Sequence, residues 1–398
     1  MQNKQANLWR RINQDNFVWW AIGLVSVWRM LLEVVNQTAQ VVINHKPIGL
    51  ENIARWANWD GGWYFNINNV GYHHTPGPLT QENVAFFPGF PETIGLIARA
   101  LHADYIIVGL ALNLFVTALL VYAVMNLASL LAVRYGADKK RRTIALLSAL
   151  TLLAFPSSYF LVAYYAEAML VLGFVGAVYF ALRGRYWATV PFLIVATASK
   201  STGVIAVITV AIIALEQWWQ DKNMTLLVKK WLITSLGVSG LFAFMTYLWV
   251  KFGDPVLFYH AQQAWGRNSP VFFGTRLIKD YYFHLFDPRH FGGMYGYALN
   301  VCWMLTPFVL LGVVIIAWRS YKAYWPIVLA GLAMALPLST GIPDSLHRYA
   351  LVAVPIVPFA VLWFSKYKPA ILYVLLSVSG LAMLLFAAVF LAGNRFSG

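Results

Sequence analysis

Apolar runs recur along this chain at lengths suited to membrane helices. Eleven of them predict helices, at roughly 17–35, 105–133, 143–156, 159–182, 187–199, 203–216, 231–250, 297–318, 324–338, 349–364 and 369–392. A bilayer core of ~30 Å takes about 20 apolar residues to span. The first run, Phe17 to Val35, is about that long, has no small-residue cleavage site after it, and reads as a retained helix. The runs at 187–199 and 203–216 are shorter. A helix of about 13 residues reaches only ~20 Å. They predict tilted crossings or a re-entrant hairpin broken at Ser199-Lys200-Ser201-Thr202-Gly203.

The polar intervals are of two kinds. Short ones carry the basic residues: Arg10 and Arg11, then Arg134 with Lys139 to Arg142, Arg183 with Arg185, Lys222 with Lys229 and Lys230, Arg319 with Lys322, and Lys366 with Lys368. If every run crosses, all of these share one side, which the positive-inside bias makes cytoplasmic. Two long intervals, about 36–104 and 251–296, then face outward. Both exceed the needs of a connector, so both are candidates for function. No internal repeat, low-complexity tract or soluble domain interrupts the pattern. Residues 1–398 read as a single integral membrane domain.

Composition agrees with the pattern. The chain is 60% hydrophobic and 11% charged, where soluble domains carry ~25% charge, and its mean hydropathy is +0.64. The expected fold class is an all-α polytopic membrane protein. The net charge of +14 lies largely in the short intervals, so it argues for orientation in a membrane and not for nucleic acid. The single cysteine, Cys302, excludes an intrachain disulfide. No P-loop or GxGxxG argues for a nucleotide-driven reaction. His73-His74 are adjacent, and His260, His284 and His290 lack a ligand spacing, so no metal and no cofactor are expected.

Candidate chemistry gathers in the outer intervals. Asn58-Trp59-Asp60-Gly61-Gly62-Trp63-Tyr64 sets one carboxylate among aromatics and glycines, and Ala85-Phe86-Phe87-Pro88-Gly89-Phe90-Pro91 follows it. An interfacial aromatic belt explains the rings but not Asp60; anchor and site both stand at this point. On the expected topology Glu167, Lys200 and Arg348 also come near the outer face, with Glu167 about two turns into its helix. A charge inside a span costs ~2.5–3.5 kcal/mol and is a functional hypothesis by default. The alternatives are snorkelling to headgroups for Lys200 and Arg348 and a structural pair for Glu167. Arg29 and Glu33, spaced i,i+4, are expected to neutralise each other. In the second interval, Gly253-Asp254-Pro255 precedes Gln262, Trp265 and Arg267. Those three offer hydrogen bonds, a ring face and a charge to a sugar or phosphate, or else pack an interfacial helix.

These segments resemble a known family. Trp59 to Tyr64, with Gly71-Tyr72 and the Ala85–Pro91 stretch, looks like the first-loop signature of the GPI mannosyltransferase II (PIG-V-like) family. Phe155-Pro156 through Ala166-Glu167-Ala168, Ala198 to Gly203, Gly253-Asp254-Pro255 with Gln262 and Trp265-Gly266-Arg267, and Ser345-Leu346-His347-Arg348-Tyr349 are similar to its later segments, in order. Lys200 stands where arginine is usual, and His347 where proline is frequent. The resemblance implies a GT-C-type multi-helix bundle of about eleven membrane helices, compact like a prokaryotic homologue. Its donor would be a polyprenyl- or dolichyl-phosphate mannose, and its acceptor a lipid or glycan. The site would lie at the outer face of a plasma membrane or the lumenal face of the endoplasmic reticulum.

The residues then take roles. Asp60 is the expected catalytic base of one inverting displacement, since a phosphate leaving group needs no second carboxylate. Lys200 and Arg348 would hold the donor phosphate. Trp59, Gly61, Trp63, Tyr64, Phe87, Glu167, Gln262, Trp265, Arg267 and His347 would line the substrate site. A transporter or flippase for an anionic or lipid-linked substrate is the rival reading, and a structural subunit of a larger assembly the third. Both fit the membrane pattern, but a transporter would more naturally show charges reaching both faces.

Overall fold

A computed structural model describes residues 15–77, 80–266, 294–339 and 345–393. Arg10, Arg11, Arg267, His284, His290 and most of the expected second outer interval lie outside the described residues. The described chain is helical, with no strand. In order the α-helices are α1 (Val18–Val42), α2 (Asp60–Val70), α3 (Gly89–Leu101), α4 (Tyr105–Arg134), α5 (Arg141–Leu153), α6 (Glu167–Leu182), α7 (Tyr186–Ser199) and α8 (Val204–Asp221). They continue with α9 (Met224–Ser235), α10 (Ser239–Phe252), α11 (Leu257–His260), α12 (Met294–Tyr321), α13 (Trp325–Ser339), α14 (Leu346–Tyr349), α15 (Val357–Tyr367) and α16 (Pro369–Ala392).

Ten of the eleven expected runs coincide with a helix or a joined pair of helices, and the run at 159–182 does so only from Glu167 onward. Among the described residues seven stretches are long and apolar enough to cross a membrane: Val18–Val42, Tyr105–Arg134, Ser201–Asp221, Met224–Phe252, Met304–Tyr321, Leu346–Tyr367 and Pro369–Ala392. The remaining four, α5, α6, α7 and α13, are short. At 1.5 Å per residue, even the 16 residues of α6 fall below a ~30 Å core. The chain is an all-α polytopic membrane protein. Its outermost helices show lipid-type surfaces, with Trp19, Trp20 and Val34 exposed on α1 and Val374, Val378 and Leu381 exposed on α16.

The centre is α4 packed on α5 and α6, with α7 and α8 against α6. α4 starts on a side-chain cap: Asp104 accepts from the backbone N–H groups of Ile106 and Ile107 at 2.9 and 3.1 Å, leaving fewer orphan donors in its first turn. At the other end of the bundle Asp15 accepts from Arg141 Nε and Arg142 Nε, each at 2.6 Å.

Two expectations change. The first outer interval, 36–104, is not a loop. α1 runs on to Val42, a 3₁₀ stretch covers Leu50–Ala57, and α2 and α3 follow. α3 is amphipathic, burying Phe90, Ile94, Gly95 and Ala98 while Leu96 and Leu101 are exposed. An amphipathic helix of that length gives no apolar run for the eye to find.

The second change concerns 159–182. The helix begins only at Glu167, so Glu167 is its first residue and not two turns inside. Every residue from Ser157 to Ala166 is fully buried, yet 162–166 is neither helix nor strand. A buried irregular backbone must find partners elsewhere, and α4 and the Leu50–Ala57 stretch supply them. Asn113 Nδ2 donates to the carbonyls of Ala163 and, at 2.8 Å, Tyr165. Thr117 Oγ1 donates to Leu161 O at 2.7 Å, and Tyr164 N–H donates to Trp56 O at 2.9 Å.

Candidate active site

The buried 157–166 segment is the floor on which the other segments assemble. Tyr165 Oη donates to Asn58 O at 2.8 Å, and Tyr164 Oη to Asn68 Oδ1 at 2.7 Å. These bonds fix both ends of the Asn58–Asn68 stretch. Gly61 packs closely on this floor: a Cβ there would stand 3.3 Å from Tyr164 O, a tight contact with backbone. Ser157 Oγ donates to His347 O at 2.8 Å and so holds α14. α3 reaches the Lys200 turn in the same way: a Cβ on Gly89 would lie 2.8 Å from Ala198 O.

This assembly brings four charged groups into one chain of contacts. Asp60 Oδ2 accepts from Arg348 Nη2 at 2.5 Å. Arg348 Nε lies 2.9 Å from Glu167 Oε1, a charge contact and not an aligned hydrogen bond. Lys200 Nζ donates to the same Glu167 Oε1 at 2.5 Å. The two cationic heads are therefore no further apart than those two distances allow. Burial is graded along the chain: Glu167 is 2% exposed, Arg348 10%, Lys200 17% and Asp60 28%. Asp60 is the member most open to solvent.

Helix ends favour this pattern of charge. Asp60 and Glu167 are the first residues of α2 and α6, and Lys200 caps the C-terminus of α7. Acids are stabilised at the former and cations at the latter. The Arg348 guanidinium also lies over the rings of Phe160 and Tyr165, 5.2 and 5.3 Å from their centroids. Such contacts favour a cation that has left bulk water. Trp59, immediately before Asp60, has φ 58° and ψ −120°. A bulky residue at positive φ is strained by about 1–3 kcal/mol and persists only where its surroundings hold it.

The aromatics form a second feature. Trp63 stacks on Phe86, and Trp265 stands edge-on to both, all with centroids 5.9 Å apart. None of the three is fully buried. Tyr64 is buried behind them, edge-on to Phe86 and Phe90. Burial, then the Glu167 and Asp60 charges, pushes its phenol well above its ordinary value, so it stays protonated. Phe87 is buried between Phe244 and Phe258. With Lys251 Nζ donating to Tyr72 O at 2.8 Å, it ties the start of the second interval to the first.

The other expected residues are placed as follows. Gln262 is half-buried in the 3₁₀ turn Ala261–Trp265. His347 is buried, its ring 6.0 Å from Phe386 and 6.4 Å from Phe160. Arg267 lies outside the described residues. Arg29 and Glu33 pair at 2.9 Å, as expected. Phe86, Phe160 and Tyr165 were missed as site residues; only their nearness to Phe87 and Glu167 in sequence pointed to them. Among the described residues no group of three or more His, Cys, Asp or Glu could hold a metal.

The buried polar atoms of these segments that have no hydrogen-bond partner among the described residues include Trp59 Nε1, Thr202 Oγ1 and Glu167 Oε2. Two can donate and one can only accept when ionised. A cluster of paired acids and cations, unsatisfied polar atoms and a platform of rings is suited to a polyhydroxylated, anionic substrate, as in a membrane glycosyltransferase. The family model of mannosyltransferase (PIG-V) matches residues 31–268, more than half of the chain, and the chain belongs to that family. It is a membrane mannosyltransferase. The match takes in Asp60, Glu167 and Lys200 and ends before Arg348. No curated protein matches the chain.

Proposed function

We propose that the protein transfers mannose from a polyprenyl- or dolichyl-phosphate donor to a hydroxyl of a lipid or glycan acceptor, with inversion. The observation that carries this reading is the Asp60–Arg348–Glu167–Lys200 chain of contacts. It sets a part-exposed carboxylate beside two cations fixed by a common partner. Asp60 takes the proton from the acceptor hydroxyl as that oxygen bonds to the anomeric carbon. The bond from that carbon to the phosphate oxygen breaks, and the electron pair leaves with the phosphate. Lys200 and Arg348 hold the phosphate and stabilise the charge it gains. In the arrangement described, Arg348 occupies Asp60. The donor phosphate draws Arg348 away and leaves Asp60 able to accept a proton.

Trp63, Phe86 and Trp265 supply ring faces for the sugar, with Trp59, Gly61, Tyr64, Phe87, Gln262, Arg267 and His347 shaping the surrounding site. Residues 1–398 act as one catalytic domain. The site opens on the non-cytoplasmic face of a prokaryotic plasma membrane, a placement supported by the basic residues of the short intervals. Labelling of Gly77→Cys in a Cys302→Ala background from outside intact cells tests the side; labelling only from the cytoplasm contradicts it. The deciding experiment is transfer by the purified, reconstituted protein from labelled polyprenyl-phosphate mannose to candidate lipid acceptors. Absence of transfer across a broad acceptor panel, with the donor intact, would sink the reading.

A further inference from the structure

Glu167 uses its two oxygens differently. Oε1 is shared by Lys200 Nζ and Arg348 Nε at 2.5 and 2.9 Å. Oε2 is buried and has no hydrogen-bond partner among the described residues. Buried polar atoms are nearly always paired, and an exception asks for an explanation. An ionised carboxylate oxygen is a pure acceptor, so the missing partner is a donor: a hydroxyl or an N–H. The position of Oε2 narrows the choice. It belongs to the carboxylate that fixes the two cations assigned to the donor phosphate. That phosphate is esterified to C1 of the sugar, and the hydroxyl nearest to it along the ring is the one on C2.

We propose that Glu167 is a specificity-determining residue whose Oε2 accepts a hydrogen bond from the 2-hydroxyl of the donor sugar. The assignment rests on the reading of Lys200 and Arg348 as the phosphate site. One carboxylate then ties phosphate recognition to sugar recognition. Mannose and glucose differ only in the configuration at C2, so a fixed acceptor there discriminates between them. Hydrogen bonds to the 2-hydroxyl strengthen as positive charge develops on the ring in glycosyl transfer. The contact therefore acts on kcat as well as on KM.

The test uses the full-length protein and two donors, polyprenyl-phosphate mannose and its 2-deoxy analogue. The wild type should use the 2-deoxy donor about 10–100-fold less well, the range expected for one hydrogen bond to a charged group. In Glu167→Gln the amide oxygen turns to the cations and the neutral NH2 group takes the place of Oε2; the 2-hydroxyl can accept from it, but the charged acceptor is lost. That variant should be slow with mannose and should keep only a few-fold preference for mannose over the 2-deoxy donor, since a neutral hydrogen bond is worth less than a charged one. A wild type that handles both donors alike overturns the proposal without any variant. So does a folded Glu167→Gln, checked by thermal unfolding, that is slow yet keeps the wild-type preference. Failure of the wild type to transfer from polyprenyl-phosphate mannose at all overturns the donor reading, and the Glu167 assignment with it.

Discussion

Glu33 and Glu167 are both acids of apolar helices, and each faces an arginine, but their surroundings differ. Glu33 Oε2 accepts from Arg29 at 2.9 Å and from Trp56 Nε1 at 3.0 Å, while its Oε1 accepts from Asn36 and Gln37 at 3.0 and 2.9 Å. Every lone pair of consequence is used, and the partners lie on α1 or on the 3₁₀ stretch it clamps. Glu167 has two cations on one oxygen and nothing described on the other. Its partners come from the C-terminal cap of α7 and from α14, far apart in sequence. Saturation marks a group that has finished its work on folding. An unsatisfied oxygen among paired charges marks one that still has a partner to meet.

The contrast between the two regions can be broken or sharpened by substitution. The largest effect is expected at Asp60. Asp60→Asn should lower kcat by roughly 10²–10⁴-fold, the usual worth of a general base, in a protein that still folds; near-normal turnover of the purified variant ends the base assignment. Arg348→Ala should follow, with a loss of roughly 10²-fold or more from the missing charge at the leaving phosphate. Arginine can grip two phosphate oxygens where lysine acts as a point charge, so Lys200→Ala should cost less and Lys200→Arg least. Initial rates at several donor concentrations give that order, and a larger loss at Lys200 than at Arg348 would reverse the roles.

Glu33→Gln belongs to the other side of the comparison. It should leave kcat within a few-fold of wild type and reduce stability by about 1 kcal/mol, the usual net worth of hydrogen bonds lost from a part-buried network. A loss of turnover as deep as that of Arg348→Ala, in a folded protein, would erase the distinction. The smallest effect is expected at Asp15. Burial raises its carboxyl pKa, but the bonds from Arg141 and Arg142 outweigh burial and hold it below the ordinary value. Its stabilisation is then complete above the unfolded value of about 3.9 and fades as pH falls through the folded one. Wild type should therefore unfold at a higher temperature than Asp15→Asn near pH 6, and the gap should narrow towards pH 3. A gap that widens on acidification would contradict the direction of the shift.

Much of the fold was legible because lipid demands continuous apolar helices, and those leave runs such as 105–133 and 369–392 that need no partner to be read. The short basic intervals were equally plain. What escaped was structure specified at a distance. The start of α6 depends on Asn113 and Thr117, more than forty residues earlier, which take the backbone groups a helix would have used. No periodicity within 157–166 records that. α2 and α3 were hidden because their buried faces are narrow and their glycines suggest loops. The charged members of the site could be named from motif resemblance, but not the ring faces of Phe160 and Tyr165 against Arg348, which exist only once the segment folds back.

The charges of the site carry one more consequence. Two carboxylates and two cations cancel, so the cluster meets its donor near neutrality. On the proposed chemistry, the donor phosphate is a diester with one negative charge, while the departing phosphate is a monoester whose second pKa is near 6. The spent lipid carrier is thus more anionic than the molecule that delivered the sugar, and Lys200 and Arg348 hold it harder. Polyprenyl phosphate is accordingly expected to be a competitive product inhibitor with a higher affinity than the donor. The enzyme's pace then follows how fast the membrane clears the used carrier, which couples sugar transfer to lipid recycling through the ion pairs alone.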